Sequence, residues 1–173
     1  MITELVEINI SQLNMLLNLI KFYCYEWSQY NGIEIDDSCE YEFEHHIKKY
    51  FYEENHYPYF IMVDKKIAGF ILIDDDFEYN KNSDYAISEF FVMYKYRRNG
   101  IGTIAATEII KKLPGKWEIK MHPNNNTSIK FWNNVVTNIT NGKYEYIKSC
   151  EKAKYSDGEL GTIISFEYDQ KMT

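Results

Sequence analysis

No stretch of this 173-residue chain approaches the roughly 20 consecutive apolar residues needed to cross a bilayer. Its first residues, Met1-Ile-Thr-Glu-Leu-Val-Glu7, have neither the basic opening nor the apolar segment of a secretory leader. A soluble, cytoplasmic protein with no membrane partner is therefore expected. Cysteine is scarce: Cys24, Cys39 and Cys150 are odd in number, scattered and without a C-x-x-C pair. That argues against a disulfide framework and against a structural zinc site. Packing is their expected role, since a reactive thiol needs a particular electropositive setting. Repeats and low-complexity linkers are missing too, so residues 1–173 are expected to form a single domain. The 45% hydrophobic content gives that domain a substantial core.

Positive charge is also in short supply, with a formal net charge of −7. Residues 85–112 run against this balance: five basic residues (Lys95, Arg97, Arg98, Lys111, Lys112) face two acidic ones (Glu89, Glu108), giving +3 there and −10 elsewhere. A nucleic-acid partner, which needs a broad basic surface, is not expected. A local basic site for a small anionic ligand is.

The apolar patterning alternates between two periods. Ile2 to Ile8 reads as a short first strand, and Ser11 is placed to cap a helix running to about Tyr30. Within it Leu13, Leu16, Leu17, Ile20, Cys24 and Trp27 recur at three- and four-residue spacing, an amphipathic stripe that Asn31-Gly32 ends. A second helix is expected over Tyr41 to Glu53. It carries His45 and His46, which as neighbours do not share a helix face, so no metal site is predicted. Pro58–Val63 and Ile67–Ile73, separated by Asp64-Lys65-Lys66, read as a hairpin. A polar loop from Asp74 to Asp84 leads to a strand over Tyr85–Val92. A helix from Ile101 to Leu113 is stopped by Pro114-Gly115. Trp117–Met121 then reads as a strand and Asn126–Val136 as a helix, with Tyr144–Cys150 and Thr162–Tyr168 as a closing strand pair.

The most informative segment joins the Tyr85 strand to the helix after it: Val92-Met-Tyr-Lys-Tyr-Arg97-Arg98-Asn99-Gly100-Ile101-Gly102. A chain leaving a strand and entering a helix can aim several free N–H groups at one anion, helped by the positive end of the helix dipole. Gly100 and Gly102 omit Cβ where the backbone must approach closely or turn left-handed, and Arg97 and Arg98 add charge that suits phosphate oxygens.

On these residues the chain resembles the GNAT N-acetyltransferase superfamily over nearly its whole length. The pattern V-x-x-x-x-[QR]-x-x-G-x-[GA] is matched by Val92, Arg97, Gly100 and Gly102. A second, N-x-x-[AS]-I-x-[LF]-[YF], is matched by Asn125, Ser128, Ile129 and Phe131 and broken at Trp132. The resemblance implies an α/β (α+β) fold, a mixed, mostly antiparallel sheet flanked by helices and splayed between the strands ending near Val92 and Met121. It implies acetyl-CoA as cosubstrate, and no metal. The backbone of Phe90, Phe91 and Val92 would pair with the pantetheine arm. The turn from Arg97 through Arg98, Asn99, Gly100, Ile101, Gly102 and Thr103 would hold the pyrophosphate, and Asn125 would steady the pantetheine.

Transfer to an amine needs a polarised thioester carbonyl, a neutral amine and a way to take up its proton. Glu89 is the expected base: it is acidic in an otherwise apolar strand, where an unpaired carboxylate is costly to bury. The similar diamine acetyltransferases carry an acidic residue at that offset. A structural salt bridge or a solvent-facing place on the strand is the competing role for it. The family often has a Tyr where Trp132 stands, and indole cannot serve as proton donor to a leaving thiolate. Tyr94, Tyr96, His122 or water remain for that task, with Trp132 expected in the core or against the coenzyme arm.

The resemblance places the acceptor near the first two helices and the loop before the Tyr85 strand. These carry Asp36, Asp37, Glu40, Glu42 and Glu44, then Asp74, Asp75, Asp76 and Glu78. Such carboxylates either attract a cationic amine or form solvated faces. Tyr23, Tyr25, Trp27, Tyr30, Tyr41, Phe43, Tyr50, Phe51 and Tyr52 either hold an ammonium by cation–π contact or fill the core. The expected function is N-acetylation of a small cationic amine. The alternatives are protein or peptide N-acetylation and a non-catalytic acetyl-CoA sensor, and a homodimer is left open.

Overall fold

Apolar residues that alternate in some segments and recur every three or four in others build two kinds of element. The computed structural model describes residues 1–41 and 43–169 and, of Glu44 and His45, the backbone alone. Its strands are β1 (Thr3–Glu7), β2 (Tyr57–Val63), β3 (Lys66–Asp74), β4 (Tyr85–Val92), β5 (Gly115–Met121), β6 (Glu145–Ile147) and β7 (Thr162–Tyr168). Its helices are α1 (Leu13–Asn31), α2 (Glu44–Lys48), α3 (Ile101–Lys112) and α4 (Asn126–Thr140).

The strands form one sheet in the order β1-β2-β3-β4-β5-β7-β6. Every neighbouring pair is antiparallel except β4 and β5. Asp64 and Lys65, with φ of 47° and 63°, form the tight left-handed turn whose twist suits the β2–β3 hairpin. Because side chains alternate across each strand, the sheet has two apolar faces. Ile61, Ile71, Ile73 and Trp117 pack against Ala105, Ile109 and Val136 of α3 and α4. Phe60, Phe70 and Leu72 pack against Leu16, Ile20 and Cys24 of α1 and Ile47 of α2. Each large side chain so buried contributes roughly 1.5–3 kcal/mol, which holds the helices on both sides of the sheet.

Several boundaries differ from the sequence reading. The cap before α1 is Asn9, not Ser11: Asn9 Oδ1 accepts the Ser11 N–H at 3.0 Å while Gln12 Oε1 accepts the Asn9 N–H at 3.1 Å, opening a 3₁₀ turn over Ile10–Gln12. The Gln three residues on completes a reciprocal box that Ser11 cannot form. α2 is far shorter than residues 41–53. No side chain caps it, and it tightens into a 3₁₀ turn over Lys49–Phe51 that turns Tyr50 inward. α4 runs on to Thr140, where left-handed Asn141 and Gly142 end it. β6 ends at Ile147, shortly before Ser149 takes a left-handed φ of 50°.

Candidate active site

Two irregularities in β4 create the site. Its parallel pairing with β5 covers only Tyr85–Ile87 against Trp117–Ile119, and beyond that the strands diverge. On its other edge the register with β3 slips: Ile73 pairs with Ile87 but Leu72 with Glu89, so Ser88 is an extra, bulged residue. Strand side chains have a period of two, so this insertion changes their phase. Ile87, Phe90 and Val92 face α3 and α4, whereas Glu89 and Phe91 face α1. Gly69 allows the close approach of β3 behind them, since a Cβ there would overlap the Phe91 carbonyl oxygen.

A cleft of about 1010 Å³ fills the divergence. Phe90, Phe91 and Val92 line one side, Met121, His122 and Asn125 the other. At one end stands the start of α3, where Arg98 (φ 61°) and Gly100 (φ 77°) turn the backbone left-handed. The first bond of the helical ladder there is Ile104 N–H to Gly100 O at 3.0 Å, and no side chain caps this end. The N–H groups of Ile101, Gly102 and Thr103 therefore have no partner within the helix. A Cβ on Gly102 would come within 3.3 Å of the Phe131 ring. The opening, the uncapped amides and the absence of Cβ fit an extended ligand ending in a dense anion.

The predicted donor-side residues divide by what their side chains do. Arg98, Gly100, Gly102 and Thr103 line the cleft. Ile101 is buried in the core, so only its main chain can serve a ligand, and Asn99 is exposed outside the cleft lining, its Nδ2 donating to Arg97 O at 3.0 Å. Arg97 also lines the cleft, but its guanidinium is already engaged. It donates to both Glu26 carboxylate oxygens at 2.8 and 2.6 Å, and through Nε to Val92 O at 2.6 Å. Asn125 caps α4 through Oδ1, which accepts the Ser128 N–H at 3.0 Å, leaving its NH2 to offer. Trp132 is buried, packing on Phe90 and Phe131 with ring centroids 5.1 and 4.8 Å away.

Glu89 lies where the cleft meets a smaller cavity of about 280 Å³, also lined by Phe43, Lys49, Tyr50, Asp74 and Asp76. Its carboxyl is deep, yet part of its surface faces these cavities. Burial pushes its pKa up to about 7; the Tyr23 hydroxyl, donating to Oε2, opposes that rise, and buried Asp74 adds to it. Lys49 pulls the other way, but it lies 3.4 Å from Asp74 and 2.7 Å from Asp76.

Of the predicted acceptor-side carboxylates, Asp74, Asp76 and Glu78 line the cavities. Asp36, Asp37 and Glu40 do not. They are exposed, Glu40 pairs with Lys21 at 2.8 Å, and Asp36 caps its own loop by accepting from Ser38 and Glu40 amides. Asp75 is exposed and accepts from Asn55 Nδ2 at 3.0 Å. Glu42 lies outside the described residues, as do the side chains of Glu44 and His45. Among the aromatics, Tyr23, Trp27, Tyr30, Phe43 and Tyr50 line the cavities. Tyr41 and Phe51 pack on the α1 side of the core, and Tyr25 and Tyr52 are exposed.

Of the possible proton donors, Tyr94 lines the cleft and is largely exposed, while Tyr96 packs on the core. His122 is fully buried: its Nδ1 accepts from the Asn124 N–H at 3.3 Å, so Nε2 donates to Asp157 Oδ2 at 2.9 Å. That pair fastens the loop 148–161, which brings Tyr155 to the cleft, 4.8 Å from the His122 ring. Tyr155 was not singled out from sequence. Nor was Glu118, a 2% exposed carboxylate that accepts the N–H groups of Glu78, Tyr79 and Asn80 and so anchors the loop 75–84 beside the cleft.

With this geometry in place, comparison with known proteins is informative. The chain's fold is that of an acetyltransferase from Thermus thermophilus (12% identity, TM-score 0.69, 96% of this chain and 97% of that one covered). It is also that of a GNAT-family acetyltransferase from Bacillus cereus ATCC 10987 (15%, 0.67, 98% and 100%). A third likeness is to the PaiA N-acetyltransferase of Thermoplasma acidophilum, solved in complex with coenzyme A (16%, 0.60, 97% and 100%). No curated protein matches the chain in sequence. The model of the acetyltransferase (GNAT) family matches residues 19–135, a span that holds most of α1, the bulged strand, the glycine turn and most of α4. This protein belongs to the acetyltransferase (GNAT) family and is an N-acetyltransferase, its cleft consistent with acetyl transfer from acetyl-CoA.

Proposed function

We propose that the protein acetylates a primary amine on a small cationic molecule, with Glu89 as the general base. The observation that carries this reading is the position of Glu89: the Ser88 bulge turns it toward α1, where both cavities meet, and its pKa of about 7 suits a base at neutral pH.

On the donor side, the amides of Ile101, Gly102 and Thr103, with the backbone at Arg98, Asn99 and Gly100, would hold the pyrophosphate of acetyl-CoA. Arg97 would brace that turn through Glu26 instead of supplying charge. Among the described residues the β4 edge beyond Ile87 has no strand partner toward β5, and apart from the Val92 carbonyl, which accepts from Arg97 Nε, its backbone from Phe90 to Val92 is free to pair with the pantetheine arm; Asn125 would donate through its NH2. The thioester supplies the activated acetyl group.

On the acceptor side, Tyr23, Trp27, Tyr30 and Phe43 offer ring faces to a cation, and Asp74 and Asp76 outnumber Lys49 in the smaller cavity. An ammonium with an ordinary pKa near 10.4 gives its proton to a base at about 7 at a cost of roughly 4–5 kcal/mol. Partial desolvation among these rings lowers that cost by disfavouring the charged amine. One amine proton passes to Glu89, the neutral nitrogen bonds to the acetyl carbon as the C–S bond breaks, and the second proton that this nitrogen loses is relayed through water to the leaving thiolate, since buried Trp132 has none to give.

The test is a thiol-release screen of purified protein with acetyl-CoA against panels of free amines and of peptides. Turnover on small di- or polycationic amines is expected, and Glu89→Gln should reduce it by about 100-fold or more, as loss of a general base does. Turnover confined to peptides would overturn the small-molecule acceptor; unchanged turnover in Glu89→Gln would remove Glu89 from the chemistry.

A further inference from the structure

We propose that Tyr23 of α1 is the positioning residue for Glu89, holding one carboxylate oxygen so that the other is presented to the amine. This deepens the reading of Glu89 as base and rests on it. The Tyr23 hydroxyl donates to Oε2, no described residue donates to Oε1, and Glu89 lines both cavities.

The ring that carries this hydroxyl has little freedom. It stacks on Trp27, with centroids 6.1 Å apart and planes 21° from parallel. It also meets Phe70, Phe91 and Phe43 edge-on at 5.8, 6.0 and 6.5 Å. Two of those rings belong to the sheet (β3 and β4), one lies beside α2 and one is on α1 itself, so the hydroxyl is fixed relative to the strand that carries Glu89. Burial first, and then the adjacent carboxylate, push the Tyr23 pKa well above its ordinary value of 10, so the hydroxyl keeps its proton and stays a donor through neutral pH.

The groups facing Glu89 come from several elements. Tyr23 and Cys24 are on α1, Lys49 and Tyr50 follow α2, Asp74 ends β3, and Tyr155 belongs to the loop 148–161. His46 and Asp76 line the same small cavity. Burial pushes the Cys24 thiol up to about 12 and raises Tyr50 and Tyr155 above their ordinary values, so these three stay neutral where Glu89 titrates. Near pH 7 the Tyr23 hydrogen bond is thus the contact a conservative substitution can delete without altering any formal charge around Glu89.

Tyr23→Phe retains the ring packing and removes only the hydroxyl. The acidic limb of the pH–rate profile is expected to move up by about one pH unit, the size of one hydrogen bond to a charged group. At pH 7 kcat should fall about fivefold from this shift, with KM changed less than twofold and most of the loss recovered at pH 9. Comparing variants on one amine cancels the amine's own titration. Placing 3-fluorotyrosine, a stronger donor, at position 23 should shift the limb downward, and it serves equally if Tyr23→Phe does not fold. A limb that stays in place in the variant that folds would overturn the proposal. Glu89→Gln separates the two readings: if the limb persists there, Glu89 is not the base. If the limb vanishes there but is unmoved in the Tyr23 variants, only the role of Tyr23 fails.

Discussion

Replacing Glu89 by Gln is expected to make the protein more stable at neutral and alkaline pH while disabling it as a catalyst. The folded protein holds Glu89 at a pKa of about 7 against an ordinary value of 4.5. It therefore binds that proton more tightly than the unfolded chain does, and stability declines as pH rises through this window and levels off above it. The full difference corresponds to roughly 3 kcal/mol at about 1.4 kcal/mol per tenfold change in proton affinity. Because part of the carboxyl faces water in the cavities, we take about 2 kcal/mol as the realised cost of the charge. Gln never ionises, and its carbonyl oxygen still accepts from Tyr23. Melting followed by circular dichroism should thus show Glu89→Gln exceeding wild type by about 4–8 °C at pH 8, with little gain at pH 4.5. A gain of the same size at both pH values, or none at pH 8, would refute the view that burial penalises this carboxylate.

Glu118→Gln opposes an NH2 group to at least one of the amides of Glu78, Tyr79 and Asn80. A loss of about 2–3 kcal/mol is expected, with faster hydrogen exchange at those amides and a raised KM for the acceptor; amides as protected as in wild type would contradict it. Gly69→Ala places a methyl group on the Phe91 carbonyl oxygen, so β4 must shift. About 2–3 kcal/mol should be lost in urea unfolding, together with coenzyme A binding measured by calorimetry. Arg97→Ala breaks the two-pronged contact with Glu26 and the bond to Val92 O. It should cost about 1–2 kcal/mol while changing coenzyme A affinity less than about threefold; a drop beyond tenfold would mean that the guanidinium leaves Glu26 for the ligand.

What could be read without coordinates was local. The left-handed turns at Gly32 and Gly100, the β2–β3 hairpin and the edges of β4 follow from residues adjacent in the chain, where glycine and apolar alternation act directly. Glu89 stood out because a carboxylate in an apolar strand is costly wherever the strand goes. What escaped notice depends on distant partners. Arg97 reads as a phosphate ligand until Glu26, 71 residues earlier, is seen to hold it. Glu118 is one polar letter in a short strand, yet the fold wraps three amides of a preceding loop around it. The aromatic density of residues 41–53 resembled a helical stripe, but the segment has no cap, and its rings are drawn separately to the core, the cavity and the solvent. Charge count misled in the same way: Asp36, Asp37 and Glu40 are as acidic as Asp74 and Asp76, and only the latter pair is carried to a cavity.

The extra residue in β4 bears on how this strand tolerates change in length. Deleting Ser88 would leave Ile87 paired with Ile73 and Glu89 with Leu72, so Glu89 would keep its face, whereas ironing out the bulge with Ser88 retained would pair Ser88 with Leu72 and Glu89 with Ile71. That second change would exchange the destinations of the residues after it. Glu89 would be delivered into the layer formed by Ile71 and Ile73, and the phenyl ring of Phe90 would occupy the place from which a proton is to be withdrawn. A protein of this kind can lose its chemistry with every functional side chain still present in the chain, through a frame shift of one residue within a single strand.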